Sequence, residues 1–160
     1  MILKRSVKKV RAMDKFSKEK REKLANTIIY FADHVSDLSK TKLLKLLYLL
    51  EEKYVEKYNL PFLDIEFEVW QAGPVNKDVF IELSGESLLL SGYIKKENNE
   101  DYEIIKSTKK FSDDEFSDND IDMMDFIIKE FGKKTATELV EYTNRPGSAW
   151  YIVAKAKNGL

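Results

Sequence analysis

The densest run of ligand-type side chains is Asp113-Asp114-Glu115-Phe116-Ser117-Asp118-Asn119-Asp120-Ile121-Asp122. Asp118, Asp120 and Asp122 match the first three ligands of an EF-hand calcium loop. The sixth position is then Met123, where the sharp turn needs Gly, and the twelfth is Lys129, where a bidentate Glu is required. The calcium motif fails. A helix N-terminus, with its partial positive charge, accounts for these acids; a docking surface for a basic partner is the other reading.

Other chemistry is equally poorly served. The chain has no Cys and one His, His34, at the end of an amphipathic stretch where capping or packing is its expected part. Gly85-Glu-Ser87-Leu-Leu starts like a nucleophile elbow and lacks its closing Gly. No pair stands out among the twenty-eight acids as a glycosidase pair would. The six glycines are scattered, with no phosphate-cradling G-x-x-x-x-G-K, and no aromatic pair of the RNA-binding type is present. The expectation is a binding protein, not an enzyme, with no cofactor and no metal.

One segment concentrates unusual residues: Trp70-Gln-Ala-Gly73-Pro74-Val75. Gly73 frees the backbone to turn, and Pro74 suits the first position of a helix, where no N–H is needed. A buried Trp alone justifies itself by the apolar area it removes from water. The segment therefore reads mainly as a corner between strand and helix. The functional version has Trp70 and Trp150 lining a groove for a partner segment, since Trp is enriched at interface hot spots.

The elements that would position these residues follow from periodicity. Leu24, Ile28, Phe31 and Val35 fall at helical spacing after Ser17, a suitable N-cap. Ser39 caps a second helix over 40–58, whose stripe of Leu43, Leu46, Leu47, Leu50 and Tyr54 is widened by Leu44, Tyr48 and Leu49. A helix apolar nearly all round is expected at the centre of a fold. Residues 64–69 alternate as a strand, and a helix over about 75–83 follows. Leu88, Leu89 and Leu90 suggest a short helical turn. Residues 92–96 and 102–106 flank a polar tip and read as a β-hairpin. Ile121 to Phe131 marks a further helix, Thr135-Ala-Thr-Glu138 is a capping box opening another, and Ser148 to Val153 a last turn or two. The fold expected is mainly α (α+β): about six helices around a central apolar helix, with a small antiparallel sheet including the hairpin.

The 160 residues suit one domain, and no apolar run reaches the roughly 20 residues of a membrane span. Lack of Cys and of a signal peptide suits a cytoplasmic protein. The net charge of −1 conceals an asymmetry. Residues 1–23 carry +7 and residues 61–160 carry −8. Residues 1–16 form a basic N-terminal segment, and residues 17–160 a single domain. A start at Met13 would make the basic residues before it an upstream extension and leave that end at +2.

Three stretches, in order, carry a family resemblance. Thr41-Lys-Leu-Leu-Lys-Leu-Leu-Tyr48 resembles the leucine-rich K-L-x-K-L-L-Y helix of the Panacea domain, of the SocA-like or GepA-like, phage-associated family. Phe67-Glu-Val-Trp70-Gln-Ala-Gly73-Pro74-Val75 is similar to that family's F-x-A-W-x-x-G-P-V centre, and Glu138 to Trp150 to its closing E-L-x-x-x-T-H-x-x-x-x-x-W. The resemblance covers about residues 24–153. It implies a mostly helical antitoxin that neutralises a cognate toxin by direct protein contact, some members passing the toxin to a protease as adaptors. The chain departs at Thr143-Asn144, where relatives have Thr-His: Asn can donate and accept as neutral His does, but cannot take up a proton near neutral pH. The partner-binding candidates are Trp70, Gly73, Pro74, Val75, Asn144 and Trp150. The alternative is a nucleic-acid-binding regulator, using Lys4, Arg5, Lys8, Lys9 and Arg11 on operator DNA.

Overall fold

A computed structural model of the chain describes residues 17–70, 73–85, 89–98, 101–148 and 152. Among them are five helices and two small antiparallel sheets, so the architecture is mainly α with a β component. Trp150 and Lys4, Arg5, Lys8, Lys9 and Arg11 lie outside the described residues.

Helix α1, Lys18–His34, starts where Ser17 accepts from the Lys20 N–H and buries Leu24, Ile28 and Phe31. At its end His34 Nδ1 lies 2.8 Å from the Tyr30 carbonyl, the local capping expected of it. Helix α2, Lys40–Tyr58, is capped by Ser39 and stopped by Asn59, whose φ of 56° is left-handed. Leu43 to Leu50 are all buried, so the helix must be covered on every side over its first turns. It packs against elements formed later in the chain, described next.

The segment after α2 departs from the expected strand over 64–69. The strand β1 is only Glu68–Trp70. The Glu51 carboxylate takes the N–H groups of Phe62, Leu63 and Asp64 at 2.9–3.2 Å, and Asp64 has a φ of 54°. The chain there is wrapped around a helix side chain instead of extended. The β2 strand, Gly73–Val75, pairs with β1 in the register Glu68↔Val75, Val69↔Pro74, Trp70↔Gly73. Pro74 is thus in a strand and not at a helix start. It sits between the two outer pairs of the ladder, where a missing N–H is tolerable if that pair is the non-hydrogen-bonded one. Helix α3, Lys77–Ser84, opens instead at Asn76, whose Oδ1 accepts from the Val79 N–H while its Nδ2 donates to the Glu66 carbonyl.

Strands β3, Ile94–Asn98, and β4, Glu103–Ser107, form the expected hairpin. β4 buries Ile104 and Ile105, and Ile105 N–H donates to the Leu38 carbonyl, fastening the hairpin to the turn between α1 and α2. Leu89 and Leu90 are buried in a bend, while Leu88, the first residue of the expected short helical turn, lies outside the described residues. Helix α4, Asp118–Phe131, begins with a reciprocal Ser117–Asp120 capping box. Asp120 also meets Lys23 of α1 at 3.3 Å. Of the acidic run, this is the carboxylate with a defined structural part: hydrogen bonds from Tyr54 and Ser117, with Lys23, outweigh its burial and hold it below the usual carboxylate range. Helix α5, Ala136–Thr143, opens with the capping box Thr135–Glu138.

The α2 helix packs against α3, α4, α5, β2 and β4, while α1 packs on α4 and β4. One cluster of buried side chains joins all of these elements. At about 1.5–3 kcal/mol per fully buried aliphatic side chain, the α2 leucines are a major share of what holds the molecule together. Among the described residues no helix is long and apolar enough to cross a membrane.

Candidate functional site

Packing of α2 against β2 and the end of α5 brings three separated stretches to one point. Lys45 lies in the second turn of α2, in the middle of the leucines, and is 2% exposed. Its Nζ donates to the Pro74 carbonyl at 3.2 Å. Burial pushes the amine down to about 8, because the charged form has lost most of its water.

Gly73 supplies the room for this amine. Its φ of 119° is one that L side chains rarely adopt. A Cβ there would stand 2.8 Å from Lys45 Nζ and 2.8 Å from Asn144 Oδ1. The lysine head and the asparagine amide therefore crowd the same face of the glycine. Two independent reasons, conformation and close approach, require Gly at this position.

Asn144 is the C-cap of α5, and its N–H bonds to the Val140 carbonyl. The hydroxyl of Thr143, fully buried, lies 3.1 Å from the Val140 carbonyl and 3.2 Å from Asn144 Oδ1, with one proton to share between them. Asn144 accepts here as a neutral imidazole nitrogen could, without the capacity to titrate.

A polar row continues along α2. Tyr48 and Glu52 follow Lys45 by three and seven residues and share its face. Tyr48 meets Phe67 edge to face at 5.3 Å, and burial, with the Glu52 carboxylate beside it, pushes its hydroxyl well above the ordinary value. Lys53 donates to the Tyr142 hydroxyl at 3.0 Å and stands 3.5 Å from Glu52 and 3.7 Å from Glu56. The Arg145 guanidinium lies 3.9 Å over the Tyr142 ring. These contacts tie the second half of α2 to the closing turn of α5.

Trp70 stands at the edge of this arrangement, half-buried. Its ring meets Phe80 at 4.8 Å and its Nε1 donates to Glu68 Oε2 at 2.9 Å. Lys40 Nζ lies 4.4 Å over the same Phe80 ring, and the next residue, Ile81, is 42% exposed. Gly73, Pro74 and Val75 are buried. Of the residues singled out from the sequence, Gly73, Pro74 and Asn144 converge, Val75 enters the core beside them, and Trp70 faces partly outward.

Lys45, Tyr48 and Thr143 belong to this constellation although their types and spacing alone did not single them out as a site. The signal for Lys45 was present: a lysine inside the otherwise unbroken Leu43-Leu44-Lys45-Leu46-Leu47-Tyr48-Leu49-Leu50. A cation on a helix face with no water to reach is costly unless something holds it. Chemically, the arrangement is a buried hydrogen-bonded clamp. Among the described residues no group of three or more His, Asp or Glu is placed to hold a metal ion.

A protein-family model described as antitoxin SocA-like, Panacea domain, matches residues 43–151, more than half of the chain and inclusive of all three converging stretches. No curated protein and no solved structure matches the chain.

Proposed function

The chain belongs to the SocA-like antitoxin family with its Panacea domain, and from that premise we propose that it neutralises a cognate toxin by direct protein–protein contact. The observation that carries this reading is the family match over residues 43–151, whose three marker stretches meet at Lys45, Gly73 and Asn144. The action is stoichiometric binding in the cytoplasm, not turnover of a substrate. Handing the bound toxin to a protease is the adaptor version of the same function.

The proposed contact face is the Trp70 side of the β1–β2 hairpin. Trp70 is its anchor, with Gly73, Pro74, Val75 and Asn144 setting its shape from beneath; Trp150, outside the described residues, is the second anchor the sequence suggests. A half-buried Trp packed edge to face on Phe80 supplies the kind of large, rigid apolar contact that dominates protein interfaces. The test is co-expression with each gene neighbouring its own. Rescue of growth from one product, with a complex that survives high salt, is expected. Trp70→Ala should weaken that complex by roughly 2 kcal/mol or more, about thirtyfold, if it is a hot spot. Failure to rescue from any neighbour overturns the reading.

The charge of +7 on residues 1–23 favours a second reading, a regulator of its own operator DNA through Lys4, Arg5, Lys8, Lys9 and Arg11. It predicts DNA binding that weakens steeply with salt and is lost when residues 1–12 are removed. An unchanged shift of operator DNA by the shortened protein would rule it out.

A further inference from the structure

At the beginning of α2 lie two adjoining clefts, of about 580 Å³ and about 280 Å³, sharing Ser39, Thr41 and Tyr102. Lys42, Lys133 and Lys134 line the larger, and Lys40 and Lys96 the smaller. Among their described lining residues the acids are one each, Asp37 and Glu103. None of the five lysines forms an ion pair with another described residue. Lys42 is 6% exposed, and its Nζ has a long contact of 3.4 Å to the Ser36 carbonyl.

The placement of these cations runs against local energetics. The first turn of α2 carries Lys40 and Lys42 and no acid, although a helix N-terminus favours acids and disfavours cations. The α5 helix starts at the same cleft, with Lys133 and Lys134 just before its Thr135 cap. Three of the five lysines and the starts of two helices thus raise the potential in a single concave site. A bound anion would relieve that repulsion.

We infer that this lysine-lined cleft receives a short acidic segment of a polypeptide partner, a deepening that rests on the antitoxin reading. Nucleic acid fits less well. Residues 61–160 carry −8, so a long polyanion leaving the cleft meets an acidic body, while a short acidic segment brings its charge only to the cleft. Among the described lining residues there is no Arg for bidentate phosphate recognition, and Tyr102 is the one aromatic ring.

The probe is an acetylated octa-glutamate peptide, titrated into the isotope-labelled full chain and followed by backbone amide shifts. Saturable shifts at Lys40, Thr41, Ala136 and Thr137, weakened at least tenfold by Lys133→Glu with Lys134→Glu and unaffected by Lys57→Glu, are expected. Lys96→Glu serves as a second variant if the double one melts early. Absence of saturable binding, or shifts confined to other residues, overturns the inference. Displacement of the peptide by a mixed-sequence single-stranded oligonucleotide at lower concentration also overturns it, in favour of nucleic acid. Because the titration needs no toxin, it can fail while co-expression still rescues growth. It can equally succeed where no neighbouring gene is neutralised.

Discussion

Lys45 concentrates the residue-scale argument. A lysine whose amine falls from the ordinary 10.5 to about 8 on burial makes stability depend on pH wherever the unfolded chain holds a proton that the folded chain has released. That window lies between pH 8 and 10.5. Stability contributed by this group rises with pH across it, and below pH 8 the full penalty is present. The gain should be on the order of 2–3 kcal/mol, at about 1.4 kcal/mol per unit. Urea unfolding of the protein and of Lys45→Met at pH 7, 8, 9 and 10 measures it as a difference, in which titration of tyrosines cancels. Parallel pH curves for the two proteins would show that the amine is not desolvated. Gly73→Ala forces a strained φ and a Cβ into Lys45 and Asn144, for about 1–3 kcal/mol of destabilisation. Combined with Lys45→Ala the loss should be less than additive, because shortening the lysine removes one of the two clashes.

At the scale of elements, caps decide where helices begin. The residues Ser17, Ser39 and Thr135 were readable as local signals, because a cap needs only a side-chain oxygen two or three residues before the N–H it accepts, and Ser117 caps α4 in the same way. Thr135→Ala removes the acceptor for the Glu138 N–H and should cost about 1 kcal/mol in denaturant unfolding, whereas Thr137→Ala, off the cap, should cost less. Pro74 shows the limit of such reading. A fixed φ near −65° suits both a helix start and an edge strand, so the residue itself does not choose. Asn76 chooses, by capping Val79 and holding the Glu66 carbonyl across the hairpin. The loop around Glu51 is a similar case: alternation over 64–69 is genuine, yet a carboxylate thirteen residues away takes the N–H of Asp64.

For the whole molecule, the leucines of α2 are the common packing partner of the later elements. Leu46→Ala, at a position with no exposure, should cost about 2–5 kcal/mol through transfer loss and an unfilled cavity. Helical circular dichroism and Trp fluorescence should lose stability together, since one buried cluster joins the helices and the hairpins. Separate transitions for the two probes would mean that the β elements unfold on their own. Charge acts at this scale too. The opposed signs of residues 1–23 and 61–160 are a property of the chain's order, and any partner approaching through solvent meets them before it meets a single side chain.

Periodicity, capping residues and the order of three marker stretches were enough to establish the helices Lys18–His34 and Lys40–Tyr58, the hairpin, the mainly helical class and the family. Each of those rests on contacts within a few residues or on matching a known pattern. Tertiary structure alone decided that Lys45, Gly73 and Asn144 touch, and that lysines from α2, the hairpin and the start of α5 line adjoining clefts. Those neighbours are separated by tens of residues along the chain. What brings them together is the packing of the first turns of α2 on every side, a many-body consequence of burying its leucines that no local spacing encodes.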